Sequence, residues 1–202
     1  MILALDTSGA VSACVVDGDA VLASSTEFVP RGHAELLASM IGSTMADAGV
    51  SGGDIVAVVV GTGPGPFTGL RVGLMTARTL ALTWDVPVYG VCSLDALGAA
   101  HGGDVTVVAD ARRKEVYWAA YAGGVRVDGP QVSAPGDVPV RGEVVGRGAL
   151  VYPDAFPGAI GGDPHPAWLA RVVAMQRSQG QVEFGTEPLY LRRPDVHGGP
   201  RQ

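Results

Sequence analysis

The sequence predicts an α/β fold of mixed sheets flanked by helices, divided into two subdomains. Three observations predict it. The opening residues alternate short apolar runs with polar turns, as an antiparallel meander does. Residues 55–60 (IVAVVV) are apolar without interruption, the pattern of a strand covered on both faces. Segments 33–48 and 67–84, on either side of that run, repeat apolar residues at helical spacing.

Residues 2–8 (ILALDTS) read as a buried strand running into a polar turn. Residues 11–16 (VSACVV) form a second strand, Asp17-Gly18-Asp19 marks a hairpin turn, and residues 20–28 resume strand character. In the helix from about His33 to Ala48, the stripe is Ala34, Leu37, Ala38, Ile41, Met45 and Ala48, with Gly49 as the C-terminal cap. Leu36 and Met40 lie beside this stripe and widen the apolar surface beyond a single core contact. After strand 55–60 come a Gly-rich loop, a helix over 67–84 and a strand over 86–91. Residues 93–100 read as a helix, and 105–109 with 116–121 as paired strands around the charged turn 110–115. Residues 123–166 carry many Gly and Pro among short Val-rich pieces. A last helix spans 168–176. The expected division is 1–95, 96–195 and a frayed tail 196–202.

Hydrophobic residues make up 47% of the 202, enough for a sizeable core, and charged residues only 17%. The net charge of −6 argues against a protein that grips nucleic acid unaided. Cys14 and Cys92 both lie in apolar segments and read as reduced thiols. Asp6 breaks the first apolar run, which argues against a secretory leader, and no run approaches the roughly 18 to 20 apolar residues that span a bilayer. The cytoplasm is the expected compartment, and no membrane contact is expected.

The strongest local signal is 61-GTGPGPFTGLRVG-73, placed between a strand and a helix. Backbone N–H groups and a helix N-terminus there can face an anion. It is not a Walker A loop, since no Gly-Lys-Ser/Thr follows. It also fails the dinucleotide fingerprint, because Pro66 and Thr68 stand where Gly is required. Two readings stay open: a live anion or nucleotide loop using Gly63, Gly65, Thr68 and Gly69, or a rigid turn in which Thr68 caps the helix. Pro64 and Pro66 remove two donors from the cradle. Gly69, Gly73, Ala77 and Ala81 form a small-residue stripe that lets a neighbouring element approach closely.

Asp6, Thr7 and Ser8 end the first strand, either to hold a metal-bound phosphate or to cap the turn locally. Arg71 and Arg78 share a helical face and suit phosphate, a partner carboxylate or solvent. The charged strand end Asp110, Arg112, Arg113 and Glu115 reads either as a binding element or as a solvated turn. His33, His101, His165 and His197 lack a second ligand at metal spacing, and no Gly-x-Ser-x-Gly elbow occurs. No catalytic constellation is readable.

ILALDTS, GTGPGPFTGLRVG, DARRKEVYWA at 110–119 and PLYLR at 188–192 together resemble the bacterial TsaB (YeaZ) family over most of the chain. The resemblance implies an actin/Hsp70/sugar-kinase-like (RNase H-like) fold. It also implies a non-catalytic partner subunit in threonylcarbamoylation of the adenosine beside the anticodon, in tRNAs reading codons that begin with A. Implied partners are a catalytic TsaD-like paralogue and a small TsaE-like ATPase. By the same resemblance a homodimer is an alternative, and tRNA is met only within the complex. The paralogue carries a His-x-x-x-His metal pair. The corresponding stretch here, 89–101, holds His101 alone, so metal and ATP are expected on the partners and no cofactor on this chain. The implied pairing surface is the helices 33–48 and 67–84, with Leu36, Leu37, Met40, Arg71, Leu74 and Arg78 as contacts. The family usually has Ser where this chain has Pro66. The competing function is a small ATP-binding phosphotransferase or ATPase of the same fold, working at Asp6 and the 63–69 loop. A metallopeptidase would need the missing His pair.

Overall fold

The computed structural model describes residues 1–28 and 33–192, apart from the side chain of His33. The expected tail 196–202, residues 193–195 of the second expected subdomain, and His197 lie outside the described residues.

Two mixed sheets carry the fold. The first has the order β3-β2-β1-β4-β5, from β1 (Ile2–Asp6), β2 (Val11–Asp17), β3 (Ala20–Glu27), β4 (Ala57–Gly61) and β5 (Val88–Val91). The hairpin β1–β2–β3 is antiparallel, with Ala4 opposite Cys14, while β4 runs parallel to both β1 and β5. Helix α1 (His33–Asp47) links β3 towards β4, and α2 (Phe67–Trp84) links β4 to β5.

Side chains alternate across a strand, so β1, β2, β4 and β5 serve two cores, while β3 is largely exposed. Leu3, Leu5, Val58 and Val60 face α1 and α2, where Leu37, Ile41, Leu70 and Leu74 meet them. Ala4, Cys14 and Val59 face the other way, against Leu169, Val172 and Val173 of α5 (Pro166–Ser178). This double cover is why 57–60 contains no polar residue.

The second sheet has the order β8-β7-β6-β9, from β6 (Val105–Asp110), β7 (Val116–Ala122), β8 (Val125–Ser133) and β9 (Glu143–Val145). Helix α3 (Ser93–His101) covers one face through Leu94, against Val107 and Tyr121. The short α4 (Arg147–Val151) covers the other, with Ala149 near Val108 and Trp118. Helix α3 also packs on α5, and α5 lies on the first sheet, so the later half of the chain returns to the earlier half.

Residues 184–192 then run as an extended strap across the molecule. Gly90 donates to the Phe184 carbonyl at 3.3 Å, and Leu189 donates to the Thr62 carbonyl at 2.8 Å. Tyr190 stacks on Phe67 with centroids 4.9 Å apart. Arg192 reaches the Ala111 carbonyl at 2.6 Å and pairs with Glu115.

Candidate functional site: a filled Gly-rich loop and an open helical face

Asp6 sits where β1 meets the loop after β4, and it is 1% exposed. Oδ1 accepts from the Ser8 amide at 2.8 Å and the Ser8 hydroxyl at 2.6 Å. Oδ2 accepts from the Ser93 hydroxyl at 2.5 Å, and the Gly63 amide donates to that same hydroxyl at 3.1 Å. Burial pushes the Asp6 carboxyl above its usual range, opposed by the bonds from Ser8 and Ser93. Asp6 therefore caps its own turn and ties it to α3.

The loop is packed in the same manner. A Cβ on Gly65 would stand 2.6 Å from the Ser8 carbonyl oxygen, so this glycine is required by the close approach of two backbones. Thr7 Oγ1 donates to the Gly69 carbonyl at 2.8 Å, and a Cβ on Gly73 would collide with the same hydroxyl. The structure thus brings Asp6, Thr7, Ser8, Gly63, Gly65 and Gly69 together, and the chain's own atoms occupy the cradle. Thr68 is a correction: it is exposed, and α2 begins from Pro66 with no side-chain cap. The fixed φ of proline enters the helix in place of the hydroxyl cap.

Beside this network lies a cleft of about 160 Å³ between the two sheets. Ser8, Pro66, Leu94, Leu97, Val108, Arg112 and Arg147 are among the residues that line it. Arg147 pairs with Asp163 and lies 4.4 Å over the Phe28 ring. Among the described residues no group of three or more His, Cys, Asp or Glu is placed to hold a metal ion. No helix among them is long and apolar enough to cross a membrane.

The expected contact residues divide sharply. Leu37, Met40 and Leu74 are buried in the first core, because that face of each helix meets the protein's own sheet. They are corrections to the expected interface. Leu36 is half-buried against the same core. Arg71 and Arg78 do lie towards the surface, but the strap engages both. Arg71 donates to the Tyr190 hydroxyl at 3.0 Å and lies over Phe67, and Arg78 bonds Thr186 and Glu187 at 2.8 Å.

The exposed face of α2 instead carries Met75 and Leu82, 56% and 84% exposed. The exposed face of α1 is made of small residues, Ala38, Gly42 and Ala46 among them. Met75 and Leu82 are seven apart, opposite the Gly73 and Ala77 stripe. Projecting the helix at 100° per residue would have found them.

Two mixed sheets flanked by helices, with a Gly-rich strand-to-helix loop after β4, define a protein of the α/β class. The family model for tRNA N6-adenosine threonylcarbamoyltransferase (TsaD) matches residues 22–140. An uncharacterized protein of Mycobacterium tuberculosis (strain ATCC 25618 / H37Rv) is 43% identical over 200 residues, 96% of this chain and 93% of that one. The tRNA threonylcarbamoyladenosine biosynthesis protein TsaB of Escherichia coli (strain K12) is 36% identical over 125 residues, 59% of this chain and 54% of that protein. The solved structure of YeaZ from Pseudomonas aeruginosa matches with a TM-score of 0.79 at 28% identity, covering 94% of this chain and 99% of that one. The chain belongs to the TsaD family, in its TsaB (YeaZ) branch.

Proposed function

We propose that this chain is the accessory subunit of a tRNA threonylcarbamoyl transferase, pairing with a catalytic TsaD-like paralogue. The modified base is the adenosine beside the anticodon, in tRNAs reading codons that begin with A. A small TsaE-like ATPase joins the pair, and metal, ATP and the transferred group belong to the partners. The names of the relatives support the pathway.

One observation carries the accessory role. The loop that would cradle a phosphate is filled by Ser8, Thr7 and Ser93, while the adjoining helices present Met75 and Leu82 to solvent. Exposed apolar side chains on a rigid helix pair are what a protein partner covers. The pairing surface is therefore assigned to the outer faces of α1 and α2, with Leu36 at its margin and Arg71 and Arg78 along its edge beside the strap. A homodimer through the same faces competes with the heterodimer. The division at about residue 95 belongs to this proposal, with α5 returning from the later segment to the first sheet. The cytoplasm is the compartment where such a subunit works.

Reconstitution tests the proposal. Modification of a tRNA transcript by the purified paralogue and ATPase is expected to need this chain, and the chain is expected to co-elute with the paralogue on a sizing column. Full activity without the chain, or separate elution at micromolar concentration, would refute it.

A further inference from the structure

His165 stands where residues 162–164, which line the cleft, run into α5, and both of its ring nitrogens are engaged. The Ala167 amide donates to Nδ1 at 3.3 Å, the bond that caps the helix. The Ser24 hydroxyl, on the edge strand β3, lies 3.2 Å from Nε2. A backbone amide can only donate, so Nδ1 offers its lone pair. In the neutral ring the hydrogen then sits on Nε2, which donates to the Ser24 oxygen.

This wiring has two consequences. The Ser24–His165 contact has the spacing of a hydroxyl beside a general base, yet Nε2 already carries its hydrogen and can take none from Ser24. The pair makes no nucleophile. The second consequence concerns Nδ1, the atom that any further proton must occupy. An imidazolium would turn Nδ1–H against the Ala167 N–H, two donors with no acceptor between them. It would also set a positive charge at the positive end of α5.

The surroundings oppose that charge as well. Burial, and then the Arg171 guanidinium, hold the His165 ring below its ordinary 6.5. Among the described residues His165 forms no ion pair with a carboxylate. Asp163, in the preceding loop, is taken by Arg147. On the elements packed against α5, Asp6 bonds Ser93, Asp95 bonds Tyr121, Tyr89 bonds Arg177, and His101 lies beside Glu143. The Cys14 thiol is buried and pushed up to about 12, so it stays neutral. Asp17, Asp19 and Glu27 are exposed at the ends of β2 and β3.

We propose that His165 is a pH-sensitive fastener, whose protonation uncaps α5 and loosens its first turn together with the cleft-lining residues 162–164. The imidazolium keeps Nε2–H for Ser24, so the ring stays on β3 while the helix lets go of it. The neutral ring belongs to the folded protein, and the unfolded chain takes up the proton first. The stability His165 confers is therefore complete above pH 6.5 and is lost as the pH falls from there through the folded value.

Two readouts test the proposal on the full chain. Ring ¹⁵N shifts at about pH 7.5 are expected to show a bare Nδ1 and a protonated Nε2, and the ring is expected to titrate below 6.5. Protection of the Ala167 amide against hydrogen exchange is expected to fall about fivefold or more between about pH 7.5 and 5, the worth of one helix cap. His165→Asn caps without titrating, so its protection should stay within about twofold over the same range. His165→Ser serves the same purpose if the Asn variant does not fold. A protonated Nδ1 at neutral pH, or titration at or above 6.5, overturns the proposal on the wild type alone. Wild-type protection that stays level with the non-titrating variant down to about pH 5 overturns it too.

Discussion

The Ser93 hydroxyl donates to the Asp6 carboxylate at 2.5 Å, across 87 residues of sequence. The same oxygen accepts from the Gly63 amide, so one side chain fastens the end of β1, the Gly-rich loop and the start of α3. Ser93→Ala leaves both a buried carboxylate oxygen and a buried amide short of a partner. A loss of about 2 kcal/mol is expected. Urea denaturation checks it, and a loss below about 0.5 kcal/mol would show that water replaces the hydroxyl.

Burial raises the Asp6 carboxyl above its ordinary 3.8. A carboxyl whose folded pKa exceeds its unfolded one binds its proton more tightly in the native protein. Its contribution is greatest below pH 3.8 and is lost as the pH rises through the folded value. Asp6→Asn removes that dependence. The stability of the wild type relative to the Asn variant should therefore decline as the pH is raised from about 3.8, and a flat difference would contradict the assignment.

Leu37 and Leu82 lie on helices that pack together, yet they face opposite ways. Leu37→Ala should cost about 2–5 kcal/mol by opening a cavity between α1 and the sheet. Leu82→Glu should leave the melting temperature nearly unchanged and weaken co-elution with the paralogue. Equal effects of the two on stability would show that Leu82 packs in the protein's own core.

Gly65 and Gly73 tolerate no Cβ, for different reasons. At Gly65 the obstacle is the Ser8 backbone, and at Gly73 it is the Thr7 side chain. Ala at either site should destabilise by about 1–3 kcal/mol. Thr7→Ala combined with Gly73→Ala removes the hydroxyl that the new Cβ would meet, and is expected to recover part of the loss despite the lost bond to the Gly69 carbonyl. Nothing comparable rescues Gly65→Ala. Thermal unfolding of the four proteins checks both statements.

Burial pushes the Cys14 and Cys92 thiols up to about 12. At pH 8 only about one part in ten thousand of each is thiolate. Iodoacetamide should leave the native protein unmodified under conditions that label both cysteines in urea, as read by intact mass.

The regular elements were legible because their signals are local. Helix α2 spans 67–84 as expected, since its small-residue stripe and apolar spacing repeat every turn. The hairpin β6–β7 was equally plain from its two runs around a charged turn. The contents of the site were less so. Helical periodicity marks an apolar face on α1 without saying whether the protein's own sheet or another chain covers it, and Leu37 and Met40 were misassigned on that account. Residues 188–192 show no period at all. Their role depends on Arg71, Phe67 and Thr62, more than a hundred positions away, and only the folded chain brings these together. The left-handed conformation of Arg112, Arg113 and Lys114 was invisible for a related reason, since Arg and Lys carry no turn signal.

The Thr62 carbonyl takes its hydrogen bond from Leu189. During translation the acceptor exists on the order of ten seconds before its donor is made. Through that interval the nascent loop has one backbone group still without this donor, and a ribosome pausing between the two segments would prolong the wait. A segment made more than a hundred residues later therefore supplies the donor for the carbonyl just beyond β4.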